Sequence, residues 1–257
     1  MKPCLLVIDA GNTNVTVGVF RGKELVTSWR LMTIHGQTVD DFSLRLLGLF
    51  QRDGLRPDEI EGAVLASVVP PLTETLARGI RVLCGADPLI VRPGVKKGMK
   101  LLVDKPDEVG ADRIVNSVAA FARYSSSAVV VDFGTATTFD CVSQAGDYLG
   151  GVIAPGLGIS SEALFIRAAR LPRVEIACPP KVIGRSTVTA MQSGLFHGYI
   201  GLVDGILTKL MDEMGGDPRV LATGGLAELI ATGSRFIEET DGNLTLEGLR
   251  LLHERNR

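Results

Sequence analysis

Two apolar runs in this chain close in the same way: Val7-Ile8-Asp9-Ala10-Gly11 near its start and Val130-Val131-Asp132-Phe133-Gly134 near its middle. A run of β-branched residues reads as a buried strand, and a carboxylate followed by glycine marks the turn that ends it. Such a turn can also carry chemistry. The carboxylate can hold Mg²⁺ directly or through water, and the bare glycine lets backbone N–H groups approach phosphate oxygens. One Asp-x-Gly is ordinarily just a tight turn, since both residues are common there. Two independent turns have no structural need to share this pattern, so the repeat argues for two lobes built on one plan, each bringing a loop to a central cleft.

The surrounding pattern repeats as well. Strands are expected at Leu5–Ile8, Val15–Phe20 and Glu24–Leu31, separated by Gly11-Asn12 and Arg21-Gly22. A helix capped by Thr38 follows, with Phe42, Leu46, Leu47, Leu49 and Phe50 as its apolar face. A strand at Gly62–Val69, a helix at Pro71–Leu83 and a strand at Pro88–Val91 complete a β-β-β-α-β-α-β order. The order restarts with strands at Ala128–Asp132, Thr137–Val142 and Asp147–Ile153, and helices then alternate with a strand at Arg219–Ala222. Between the halves, Ile114, Val118 and Phe121 have helical spacing within Gly110–Tyr124, and the small polar run after Tyr124 reads as the crossing loop. The expected division is therefore 1–124 and 125–257, two mixed α/β lobes flanked by helices.

A third constellation, Thr223-Gly224-Gly225-Leu226, places paired glycines where a strand runs into a helix, a junction that lets a flat ring and ribose approach the backbone. Competing nucleotide signatures are missing: there is no G-x-x-x-x-G-K-[ST], and Gly156-Leu157-Gly158 lacks the third glycine of a dinucleotide fingerprint. The net charge of −2 gives no electrostatic footprint for nucleic acid or an anionic membrane. Cys4, Cys84, Cys141 and Cys178 are widely spaced and suggest neither a zinc site nor a disulfide framework. His35, His197 and His253 share no metal-ligand spacing and are read as non-catalytic. No apolar run approaches the roughly 20 residues of a membrane span, so the cytoplasm is the expected location.

Taken in order, the three motifs resemble the acetate and sugar kinase, heat-shock chaperone and actin superfamily. More narrowly, the chain resembles type III pantothenate kinases over essentially its whole length. The likeness rests on Asp9-x-Gly-Asn-Thr, Glu108-Val-Gly110-Ala-Asp112-Arg113, Asp132-x-Gly-Thr-Ala-x-Thr, Gly150-Gly-x-Ile-x-Pro-Gly156, Ile183-Gly-x-x-Thr187, Gln192-Ser-Gly194 and Thr223-Gly-Gly-Leu-Ala227. The resemblance implies two actin-like, ribonuclease H-like lobes and ATP-dependent phosphorylation of the primary hydroxyl of pantothenate, the first step of coenzyme A synthesis. It implies Asp112 as general base, an ATP loop formed by Asp9, Ala10, Gly11, Asn12, Thr13, Asn14, Val15 and Thr16, and an ATP contact from Thr135. Asp132 would bind K⁺ or NH₄⁺, and Asp9 would sit on the Mg²⁺-ATP side. Val103, Gly110, Ala111, Asp112, Arg113 and Thr187 would face pantothenate. The physics agrees with two of these roles, since a carboxylate can accept the proton of an attacking hydroxyl and a guanidinium can grip a carboxylate or phosphate bidentately. The residues of Asp112-Arg113 alone fit a capped helix start with a local ion pair equally well.

Two positions depart from the family pattern. Val103 stands where a tyrosine is usual, offering neither hydroxyl nor ring, and Ser186 stands where asparagine is common. The stripe Gly194, Gly198, Gly201 and Gly205 lies on one face of an expected helix at Val188–Met214, where each glycine costs about 1 kcal/mol against alanine. Close helix-to-helix approach within the lobe would explain it, and so would a homodimer contact, which the resemblance implies. The run from Arg92 to Gly98 reads as a solvated basic loop rather than an anion site, and its nearness to Gly110 keeps a substrate-entry role open. Two other readings stay open: another small-molecule kinase or polyphosphatase of the superfamily, and a nucleotide-binding regulatory or accessory protein on the same scaffold.

Overall fold

The computed structural model describes residues 4–92, 95–96, 98–168 and 170–257, so Pro93, Gly94 and Lys97 of the basic run lie outside the described residues. The chain divides into two compact units, one of Met1–Gly98, Asp104–Ala119 and Leu244–Arg257, the other of Met99–Val103 and Ala120–Asn243.

The first unit is built on β1 (Cys4–Ala10), β2 (Asn14–Arg21), β3 (Glu24–Met32), β4 (Ile60–Ser67) and β5 (Pro88–Ile90), with α1 (Val39–Arg52) and α2 (Pro70–Cys84) between them. Its sheet runs β3-β2-β1-β4-β5, antiparallel through the two hairpins and parallel thereafter. Side chains alternate across a strand. Leu6, Ile8 and Ala10 of β1 and Val15, Val17 and Val19 of β2 therefore enter one core with Phe42, Leu46 and Phe50 of α1 and Leu72, Leu76 and Ile80 of α2. Thr38 caps α1 in a reciprocal capping box with Asp41, which fixes where that helix begins.

The other face of the same sheet receives the chain's last helix, α7 (Leu244–Arg255), which packs on β1, β4 and β2. Leu246 reaches to 3.0 Å of where a Cβ on Gly18 would stand. Helix α3 (Ala111–Tyr124) meets α7 so closely that a Cβ on Gly248 would overlap the Val115 carbonyl, and Thr245 Oγ1 donates to Asn116 Oδ1 at 2.8 Å.

The second unit repeats the topology with β6 (Ala128–Phe133), β7 (Ala136–Val142), β8 (Tyr148–Pro155), β9 (Arg219–Gly224) and β10 (Glu239–Thr240), ordered β10-β9-β6-β7-β8. Read from the opposite edge, this is the first sheet strand for strand. Helices α4 (Leu157–Arg167), α5 (Thr187–Met214) and α6 (Ala227–Ala231) complete it. Val129, Val131 and Phe133 of β6, Phe139 and Cys141 of β7 and Val220 and Ala222 of β9 form its core with Phe196, Tyr199, Val203 and Leu207 of α5.

The expected boundary at residue 124 differs from this division in two ways. The crossing falls within α3, between Ala119 and Ala120, ahead of the serine run, and residues 244–257 return to the first unit. The physical reason for the return is the apolar ridge of α7: Leu244, Leu246, Leu249 and Leu252 are buried, which the first sheet's second face supplies.

Candidate active site

In the first unit the loop after β1 closes as a tight turn, with Gly11 N donating to Asn14 O at 2.9 Å. It is held from the end of β3, where Thr33 Oγ1 donates to Gly11 O at 2.7 Å and Thr33 N to Thr13 O at 2.9 Å. Nothing in the local pattern of Thr33 announces this role; the register of the β2–β3 hairpin creates it. Asn12 and Thr13 are exposed at the tip, and Asp9 is half-buried opposite Thr16 across the β1–β2 ladder. Ala10 and Val15 sit in the core, so any contribution they make to a ligand comes through their backbone.

Asp112 lies in the first turn of α3. A Cβ on Gly110 would stand 2.5 Å from its Oδ1, so the glycine is what gives this carboxylate its place. Burial pushes the Asp112 carboxyl above the usual range, against the opposing pull of the Arg113 backbone N–H, which donates to Oδ1 at 2.9 Å, and of the Arg113 charge. A raised carboxyl is a stronger proton acceptor than an ordinary aspartate, which suits a base. Ala111 and Arg113 are half-buried on either side.

In the second unit Asp132 and Gly224 are neighbours across the parallel β6–β9 ladder, where Asp132 pairs with Thr223 and Phe133 with Gly224. Gly224 has φ +92°, and a Cβ there would meet Phe133 O at 2.6 Å and Asp132 Oδ1 at 2.7 Å. A carbonyl and a carboxylate oxygen thus converge on a bare α-carbon. Oxygen donors of this kind suit a hard cation, and the glycine is required twice over. Gly134 and Thr135 are exposed beside them, and a Cβ on Gly156 would overlap the Thr135 carbonyl and stand 2.8 Å from that of Gly134. Gly225 is exposed at the turn into α6. Thr187 is the first residue of α5, whose cap Ser186 forms a reciprocal capping box with Thr189. Val103 lies with its Cγ1 3.5 Å from where a Cβ on Gly150 would be.

A family model described as type III pantothenate kinase matches residues 5–209. Relatives so named from Anaeromyxobacter sp. (strain Fw109-5) and Moorella thermoacetica are 54% and 53% identical across 98% of this chain and 100% and 99% of their own length. The chain belongs to the type III pantothenate kinase family. Among solved structures, it is similar to a Baf family protein from Campylobacter jejuni described as a transcriptional activator (TM-score 0.59, 19% identity, 98% of each chain). It is also similar to an inorganic polyphosphate/ATP-glucomannokinase from an Arthrobacter species (TM-score 0.50, 12% identity, 98% of each chain). Both likenesses speak to fold alone, and each unit is an actin-like lobe of mixed α/β structure.

Within this type III pantothenate kinase, the expected residues of each lobe gather at the ends of their own strands: Asp9, Gly11 and Thr16 in the first, Asp132, Gly134 and Gly224 in the second. One expectation fails. The stripe Gly194, Gly198, Gly201 and Gly205 is exposed, and a Cβ at any of the four would meet nothing within 4 Å, so close packing inside the lobe does not account for it. No group of three or more His, Cys, Asp or Glu side chains forms a metal-binding cluster among the described residues, and no helix there is long and apolar enough to cross a membrane.

Proposed function

We propose that this kinase transfers the terminal phosphoryl group of ATP to the primary hydroxyl of pantothenate, with Asp112 accepting the hydroxyl proton. The new bond joins the pantothenate oxygen to phosphorus, the bond to the ADP oxygen breaks, and the proton passes to the Asp112 carboxylate. The observation that carries the reading is that carboxylate itself: half-buried at the start of α3, raised in basicity by burial, and lodged where Gly110 has no side chain. Arg113, one residue on, would orient an anionic group. The first lobe's Gly11, Asn12, Thr13 and Asn14, of which Asn12 and Thr13 are exposed, and the second lobe's Gly134, Thr135, Gly224 and Gly225, of which all but Gly224 are exposed, would each offer ATP backbone N–H groups and hydroxyls.

Asp9 would hold Mg²⁺ and the Asp132 and Phe133 oxygens K⁺ or NH₄⁺; such ions neutralise charge on the transferring phosphoryl group. Val103 and Thr187 would line pantothenate. The exposed glycine stripe on α5 supports a homodimer, because a helix face bare of side chains lets a second copy approach closely. A cytoplasmic location follows from the same reading.

The test is an assay of purified protein with pantothenate and ATP, with and without K⁺, beside Asp112→Asn. Phosphopantothenate that requires K⁺ and nearly vanishes in the variant is the expected result. Equal turnover by Asp112→Asn would remove it as the base, and no product under any condition would shift the reading to a nucleotide-binding accessory protein.

A further inference from the structure

Residues 99–103 are a five-residue excursion: the chain on either side belongs to the first unit, and this piece belongs to the second. Its attachment is concentrated at one place. Tyr148 N donates to Lys100 O at 2.9 Å, Leu102 N donates to Tyr148 O at 2.8 Å, and Lys100 N donates to Asp147 Oδ1 at 3.2 Å. Leu101 forms an isolated parallel bridge with Tyr148. The excursion ends at Val103, set against Gly150, whose φ of +113° belongs to the irregularity in the β7–β8 ladder.

Tyr148 is held in turn from inside the lobe. Its ring is fully buried, and its hydroxyl donates at 2.9 Å to Oδ1 of Asp140, itself fully buried on β7. Thr138 Oγ1 donates to the other carboxylate oxygen at 3.1 Å. Directly across the ladder from Asp140 stands Gly151, which brings no side chain of its own. A buried carboxylate and a buried tyrosine hydroxyl each need a partner, and here they serve one another. Neither residue belongs to the phosphate loops.

We infer that Tyr148 and Asp140 are positioning residues for pantothenate: the Asp140–Tyr148 hydrogen bond sets the depth of the Tyr148 backbone, and that backbone sets the segment carrying Val103. The inference rests on the reading of Val103 as a substrate-facing residue. The Val103 side chain can grip only by shape, having neither hydroxyl nor ring, so placement of the 99–103 backbone is what defines that wall.

The experiment is steady-state kinetics on Tyr148→Phe, varying pantothenate and ATP separately, with peptide-level hydrogen exchange over 99–103 and a thermal melt alongside. The expected result is a rise of roughly tenfold in the KM for pantothenate, with kcat and the KM for ATP within about twofold, as loss of substrate binding without loss of transition-state contacts requires. Exchange at 99–103 should quicken while the Thr135 loop is unchanged. An unchanged pantothenate KM, or a parallel loss in kcat and both KM values that tracks a lowered melting temperature, overturns the inference. A wild-type protein that makes no phosphopantothenate would instead sink the functional reading, and the inference with it, a failure visible before any variant is made.

Discussion

The two lobes share a strand order and differ in how their matched turns are held. In the first, the Gly11 turn is clasped from outside by Thr33, and a Cβ on Gly11 would stand 3.2 Å from Asn14 O, a longer contact than any of those at the second lobe's Gly224. In the second, the turn is crowded from within: Gly224 sits at φ +92° against Phe133 O and Asp132 Oδ1, and Gly156 sits against two carbonyls of the Gly134-Thr135 loop. Strand order decides where a carboxylate emerges. The glycines around it decide what its oxygens can face, and the second lobe has gathered carbonyl and carboxylate oxygens where the first has left an open hairpin tip.

The sharpest test asks whether proton acceptance belongs to the first lobe alone. Asp112→Asn is expected to lower kcat by about 10²- to 10⁴-fold, the usual contribution of a general base. Its thermal stability should match or exceed that of the wild type near neutral pH. Because the folded carboxyl is raised, its favourable share of stability is complete below the unfolded value and is lost as pH rises through the folded one. Asparagine does not ionise and escapes that loss. A variant that is both inactive and strongly destabilised would point to a structural role.

Next in size is the contrast between the glycines. Gly224→Ala should cost about 1–3 kcal/mol for the backbone conformation alone, before the Asp132 and Phe133 oxygens are displaced. It should also raise the K⁺ concentration needed for half-maximal activity. Gly11→Ala, with its milder contact, should cost less and leave the K⁺ response unchanged. Equal effects in chemical denaturation and K⁺ titration would erase the distinction between the two turns. The carboxylates divide the same way: Asp132→Asn is expected to weaken K⁺ activation by roughly tenfold or more, and Asp9→Asn to shift the Mg²⁺ and ATP dependence instead. Exchanged phenotypes would reverse the assignment of the two lobes.

The sheets were legible because their strands are long apolar runs punctuated by Gly, Asn and Asp, and helix α1 because Thr38 and Asp41 form its cap. The loops around Asp9, Asp132 and Gly224 were legible because carboxylate, glycine and hydroxyl recur at strand ends. What local pattern could not show depends on partners far away in sequence. Thr33 becomes a clasp only through the β2–β3 register, and Asp140 and Tyr148 meet only because the β7–β8 ladder is irregular there. Helix α7 follows the second lobe in sequence yet packs on the first, since its leucines fit either lobe's needs on paper and only the tertiary fold assigns them. The open space around the α5 glycines is likewise a fact of packing, invisible in their spacing.

The smallest expected effect concerns that returning helix. His253 of α7 lies against β4 where Gly62 has no side chain, its Nε2 2.8 Å from where a Cβ would stand. Burial holds the imidazole below its ordinary pKa, the Arg257 charge lowers it further, and Glu254 opposes them. A depressed histidine stabilises the folded state above its unfolded value of about 6.5, and that stabilisation is lost as pH falls through the folded value. Melting curves from pH 7.5 to 5 should therefore show the wild type losing stability faster than His253→Gln, with no divergence in slope at the alkaline end. The difference should be modest, because the ring is half-buried and water can reach part of the new charge. Should His253→Gln fall faster on acidification, the imidazolium would be stabilising α7, with Glu254 outweighing burial. The first lobe would then be held against acid by its last helix rather than loosened there.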